Sequence, residues 1–328
     1  MTNNNLINPN RKGWVDALRG LAILLVMYGH CVENLPVFFV FTSPVKMPLF
    51  FAISGYVFAV GDGRMFVSQI VKKIVVPWLF LGLLPSVLMV PFKGIDNVVD
   101  MFLNMLSGKV LWFFPCFIIG EIIHYIIRRY LINTVWIAIV SFVCFGIGIV
   151  LCQNDVLNYA MINIALTVQP FFLIGFLFRT YEEKLTNLKW CWLGVAFVIY
   201  VGLCSLSLAL FHKETIDVHL GQYYNIPYCL LLVFLGCAVL FTAGAKADFR
   251  SRVMSFIGQN TLVLYIWHGV AIAVLVKGLS LIGWSMPINW WTALIKVVWA
   301  CIVCGFCAVL LNRYLPFAVG KKRIKDVK

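Results

Sequence analysis

The chain alternates long apolar runs with short polar breaks, and the runs have the length of a bilayer rather than of a soluble core. A helix needs about 20 apolar residues to cross the hydrocarbon layer, where every backbone polar group must be bonded within its own segment. Runs of this kind lie near residues 14–33, 44–60, 74–91, 110–127, 132–151, 161–178, 190–211, 222–244, 257–281 and 290–313, the second of them short. The pattern predicts an all-α, polytopic integral membrane bundle of about ten transmembrane helices. No internal repeat and no Pro/Gly/Ser-rich linker divides it. A single membrane domain over residues 1–328 is expected, with short tails at about 1–13 and 314–328.

Composition agrees with this reading. Hydrophobic residues make up 62% of the 328 positions and charged residues 12%, about half the roughly 25% charged content of a soluble domain. The net charge of +13 would suit a nucleic-acid partner, but its distribution argues against one. With ten spans and a cytoplasmic N-terminus, both termini are cytoplasmic. All 26 basic residues except Lys46, Lys93, Lys109, Lys213, Lys277 and Lys296 then fall on the inner side. Short cytoplasmic loops of membrane proteins collect lysine and arginine, so the charge reports topology and contact with membrane lipid. Three of the eleven cysteines, Cys301, Cys304 and Cys307, share a helical stripe. Small residues so spaced pack helices, and no histidine or carboxylate completes a metal set there. No metal is expected.

Ionisable groups inside a membrane cost about 2.5–3.5 kcal/mol each on insertion scales, so they suggest function. The first run holds Asp16, Arg19 and His30. Arg19 and His30 are 11 residues apart, close to three whole turns, so a continuous helix sets them on one face about 16 Å apart. Asp16 lies one turn before Arg19 and can pair with it. Arginine holds phosphate in a forked, planar geometry, and histidine is the commonest proton acceptor of enzyme sites. An anionic cofactor at the cytoplasmic mouth could extend a reactive arm towards the imidazole. The plainer alternative is an Arg19 snorkelling to the interface and a His30 bonded to a neighbouring helix.

Other polar positions carry two readings each. Glu121 and His124 share a helix face, either to orient a hydroxyl or to form an ion-paired cluster with Arg128 and Arg129. His268 sits well inside its run, where it either supports the site or bonds a backbone carbonyl. Ser54 and Gly55 suit close helix approach. His212 and His219, with Glu214 and Asp217, fit no familiar ligand spacing, and their loop could touch an acceptor.

Several of these stretches, in order, resemble the acyltransferase-3 family of membrane acyltransferases. Asp16-x-x-Arg19-Gly20 followed by His30 resembles its R-x10-H signature. Met47 to Tyr56, ending Ser54-Gly55-Tyr56, is similar to its second-helix motif, and Lys72-Lys73 before Pro77 to its basic pair, where many relatives carry arginines. Leu111-Trp112-Phe113, Phe171-Phe172-x-x-Gly175 and Leu264-Tyr265-Ile266-Trp267-His268 resemble later elements. The likeness covers roughly residues 14–270 and is greatest to the fucose 4-O-acetylase-like branch.

The resemblance implies a membrane O-acyltransferase of the bacterial inner membrane. It would move an acyl group, usually acetyl from cytoplasmic acetyl-CoA, to a hydroxyl of an envelope polysaccharide or polyprenyl-linked sugar. It implies His30 as base or acyl relay, Arg19 as essential beside it, and Lys72 and Lys73 where coenzyme A phosphates enter. Asp16, His268 and Glu121 are supporting candidates. A secondary transporter or translocator of a lipid-linked glycan is the rival reading. Such proteins often carry inverted repeats, and none is visible here.

Overall fold

The computed structural model describes residues 12–32, 35–211 and 216–321. The chain forms α1 (Gly13–Gly29), α2 (Pro36–Lys46), α3 (Pro48–Val57), α4 (Gly63–Ile70), α5 (Val76–Leu88), α6 (Val90–Lys93), α7 (Asp96–Ser107) and α8 (Phe113–Tyr130). It continues through α9 (Thr134–Gln153), α10 (Ile162–Thr167), α11 (Gln169–Thr186), α12 (Trp190–Phe211), α13 (Ile226–Lys246), α14 (Arg252–Gln259), α15 (Thr261–Leu281) and α16 (Trp290–Tyr314).

Among the described residues, seven helical segments are long and apolar enough to cross a membrane: Pro36–Val57, Gly63–Leu88, Thr134–Gln153, Trp190–Leu210, Ile226–Lys246, Thr261–Leu281 and Trp290–Tyr314. Tyr159–Thr167 and Gln169–Thr186, joined through a 47° bend, make an eighth. The other two expected runs are α1 and α8. The first has only 17 residues and the second holds Glu121, Arg128 and Arg129, so neither qualifies on length and apolarity alone.

Polar caps and prolines punctuate these helices. Asn133, Asn225, Ser251 and Asn289 each accept a backbone N–H at the start of α9, α13, α14 and α16, satisfying a donor the helix cannot. Pro48 begins α3, and Pro170 is the second residue of α11. Proline has no N–H to continue a helix, so two runs expected as single spans are interrupted, at Met47 and at Val168. Gln169 bridges the second break, its Nε2 donating to the carbonyls of Gly120 and Ala165 at 3.1 and 2.9 Å.

The structure departs from the sequence expectation in further places. The first run ends as helix at Gly29 rather than near 33. Residues 216–217 and 222–223 form a two-stranded antiparallel hairpin in a bundle expected to be all helix. The amphipathic α4 and a five-residue π turn, Val71–Val75, precede the third run.

α1 is the hub, touching α2, α3, α13, α14, α15 and α16. Its crossing with α14 is a glycine contact. A Cβ on Gly258 would overlap the Asp16 carbonyl, and one on Gly20 would come within 2.6 Å of the Met254 oxygen. Backbones this close leave no room for side chains. At the start of α1, Lys12 Nζ meets Tyr56 Oη at 2.6 Å and Glu182 at 2.7 Å, and the Tyr56 hydroxyl donates to Glu182 at 2.8 Å, tying α1 to α3 and α11. Burial pulls the Lys12 ammonium down, but Glu182 and Tyr56 prevail and hold its pKa above the usual lysine value.

Candidate active site

The polar stripe of α1 faces two cavities. Seven residues into the helix, Arg19 lines the larger one, about 680 Å³. Asp16, only 2% exposed, orients it: an Asp16 oxygen lies 3.8 Å from the guanidinium, and Gln259 Nε2 donates to the other at 3.1 Å. Gln259 reaches Asp16 because the Gly20–Gly258 crossing presses α14 onto α1.

Around the same mouth stand Lys73 and Gln69 from the π turn and α4, and Lys321 from the segment after α16. Lys73 packs its backbone against Gly320, which brings these two cations to one rim. Lys72, on the same exposed turn, does not line the cavity. Deeper in, the wall turns aromatic, with Phe50, Phe113, Phe114 and Phe117. Glu121 also lines it, and Ser54 donates a hydrogen bond to its carboxylate.

His30 lies at the other end of α1, at the C-cap. The expectation placed its imidazole within a continuing helix. It is instead exposed on the wall of a second cavity of about 280 Å³. Lys46, Asp217, His219 and Trp112 line this cavity too. Trp112 stacks on His219 at 4.9 Å and 27°. Burial keeps the His219 imidazole below its usual pKa, with the Asp217 carboxylate opposing the shift.

The rings of His30 and His268 are 5.2 Å apart. His268 Nδ1 lies 2.9 Å from the carbonyl oxygens of both Leu264 and Tyr265. A carbonyl can only accept, so the neutral ring carries its proton on Nδ1 and leaves Nε2 with a lone pair. His268 therefore bonds the backbone, the plainer of its two sequence readings, and also stands beside His30.

Glu121 and His124 form no pair. His124 is fully buried, stacked on Phe172 at 5.1 Å and edge-on to Phe58 at 5.0 Å, and neither ring nitrogen meets a hydrogen-bond partner among the described residues. The expected ion-paired cluster does not form either, because Arg128 lies over the Phe176 ring at 3.7 Å. His212 and Glu214 lie outside the described residues.

Sequence reasoning missed Lys321, Gln69 and Gln259, and treated Trp112 and Tyr265 only as parts of motifs. The Leu-Trp-Phe element has a visible purpose. Leu111 sits in the left-handed region at φ 54°, a conformation that costs a non-glycine residue about 1–3 kcal/mol. The turn sends Trp112 into the smaller cavity and Phe113 into the larger.

Fold and site together define a multi-pass helical membrane protein that gathers a guanidinium, carboxylates and paired imidazoles inside its bundle. Residues 12–310 match the family model of the acyltransferase-3 domain, described as an acyltransferase domain. The chain belongs to that family and is a membrane acyltransferase. No curated protein and no solved structure matches it.

Proposed function

We propose that the chain is an acetyl-CoA-dependent O-acetyltransferase of the fucose 4-O-acetylase-like branch, acting on a hydroxyl of an envelope polysaccharide or lipid-linked sugar. In this reading it sits in the bacterial inner membrane with ten spans, α1 and α8 included, and both termini in the cytoplasm. The larger cavity is the donor site and opens to the cytoplasm, and the smaller one receives the acceptor.

The observation that carries the reading is the gradient along the larger cavity. Three cations, Arg19, Lys73 and Lys321, line it where it is exposed or half-buried, with Asp62 among them, while the rings of Phe113 and Phe114 line it where it is buried. Coenzyme A has the same division, with phosphates at one end and an uncharged arm ending in the thioester. Arg19 can grip a phosphate through its forked donors, held in place by Asp16, while Lys73 and Lys321 act as point charges and Lys72 adds to the local field. A channel of alternating polar sites for a migrating lipid-linked glycan would not need this polarity, and family membership favours transfer over translocation.

In the chemical step the His30 imidazole takes the proton of the acceptor hydroxyl. The oxygen attacks the thioester carbonyl, the carbon–sulfur bond breaks, and coenzyme A leaves as the thiolate, which regains the proton. General-base help of this kind contributes about 10²–10⁴-fold in rate. A short-lived acyl group on the same ring fits the same geometry. His268, with Nδ1 tied to the backbone, fixes the orientation of the pair.

The test compares surface-polysaccharide O-acetylation in cells carrying no protein, wild type or His30→Ala, and acetyl-CoA turnover by each purified protein. His30→Ala should reach the membrane in normal amount and transfer almost no acetyl. Full activity of the purified variant would refute the catalytic role.

A further inference from the structure

We propose that Tyr265 is a positioning residue whose ring forms the partition between the donor and acceptor cavities, so that the acyl group crosses at this wall while water does not. The proposal rests on the functional reading above. Among the described residues, Tyr265 alone lines both cavities.

The ring is held from several sides. Phe113 lies 5.3 Å from it and Phe114 5.4 Å, the latter edge-on at 87°. His268, one turn along α15, lies 6.3 Å away. The Tyr265 carbonyl also accepts from His268 Nδ1, so one turn of α15 sets both the partition and the imidazole beside His30. An aromatic side chain wedged among aromatic neighbours keeps a fixed place, because such interiors pack tightly in few rotamers. When coenzyme A fills the larger cavity, the smaller one, with His30, Lys46, Asp217 and His219 on its wall, is the remaining route for water to the thioester.

This arrangement solves a problem that any transferase of activated acyl groups faces. A thioester is as open to water as to a hydroxyl, and exclusion of water suppresses the side reaction. With the ring removed, water from the acceptor cavity reaches the thioester. Its oxygen bonds to the acyl carbon, the carbon–sulfur bond breaks, and coenzyme A leaves as thiolate and takes a proton from the water. The products are the free acid and the thiol, with no change of oxidation state.

The experiment measures thiol release from acetyl-CoA, with no acceptor present, by purified wild type, Tyr265→Phe, Tyr265→Leu and Tyr265→Ala in lipid nanodiscs. Wild type and Tyr265→Phe should release little. Tyr265→Leu and Tyr265→Ala should release at least tenfold more, and acetyl delivered per thiol released should fall when acceptor is supplied. A merely structural residue would lower both activities and would not create a new one.

The inference fails if the Leu or Ala variant, monodisperse and still stabilised by acetyl-CoA on heating, hydrolyses no faster than wild type. It also fails if Tyr265→Phe leaks as much as Tyr265→Ala, since bulk would then be irrelevant. Should Tyr265→Ala not fold, Tyr265→Leu decides alone. A wild type that consumes no acetyl-CoA with acceptor present overturns the acetyltransferase reading instead, which separates the two outcomes.

Discussion

Replacing Gly258 by alanine should loosen the proposed donor cavity, which Gly258 lines, by pushing α14 off α1. The added methyl would overlap the Asp16 carbonyl oxygen and lie 2.7 Å from its carbon. Carbon atoms in good contact sit about 3.5–4.0 Å apart, so α14 must retreat from α1 by roughly 1 Å. Overpacking of this size costs about 1–3 kcal/mol of stability. The same retreat carries Gln259 away from Asp16, a bond now 3.1 Å long, and releases the carboxylate that orients Arg19. A displacement of about 1 Å can cost on the order of 10²-fold in rate when it misplaces a reacting partner. The assay is acetyl transfer against acetyl-CoA concentration, with thermal unfolding in detergent followed by tryptophan fluorescence. Gly269→Ala and Gly278→Ala on α15 serve as controls, since a Cβ at either meets nothing within 4 Å. Gly258→Ala should unfold at lower temperature and show a raised KM for acetyl-CoA, while both controls stay near wild type. A Gly258→Ala protein with normal unfolding and normal KM would refute the reasoning.

Three further outcomes are expected. Lys73→Ala and Lys321→Ala should each raise the KM for acetyl-CoA more than Lys72→Ala does, because only the first two line the cavity. The difference should shrink as salt is raised, since screening weakens exposed charges. Arg19→Lys should be damaging despite its conserved charge, because an ammonium cannot reproduce the forked contact, and initial rates at saturating and limiting acetyl-CoA will show whether binding or turnover suffers. Glu182→Ala should lower the unfolding temperature more than Glu182→Gln. The amide still accepts from Tyr56, whereas alanine leaves the Tyr56 proton without its acceptor, a loss of about 1–3 kcal/mol where water does not replace it. The Lys12 pair itself, half exposed, contributes only about 0–1 kcal/mol.

The membrane class and the main helices are legible in the sequence because run length and apolarity are local properties. The approach of Asp16 to Arg19 one turn on is legible too, since helical period fixes it within one element, whereas His30 falls at the helix end and lines a different cavity. What escapes is whatever depends on chain segments meeting from afar. Lys321 belongs to a basic tail that reads as a topology signal, and nothing local says that it packs back onto Lys73. Gln259 and Asp16 are 243 positions apart and meet only through a glycine crossing. Glu121 and His124 share a face by period, yet the Ser54 hydroxyl takes one and the Phe172 ring the other. The bend at Val168 was foreshadowed by Pro170, but the apolar run across it has no gap to mark a break.

The rim of the larger cavity joins α1 to residues 319–321, the first and last parts of the described chain. During synthesis Arg19 and Lys73 are made early, and Lys321 reaches them only after α16 has followed. A chain cut short before this final stretch would insert most of its spans and still lack one wall of the pocket. The rim is therefore closed only once the last described helix, α16, is in place.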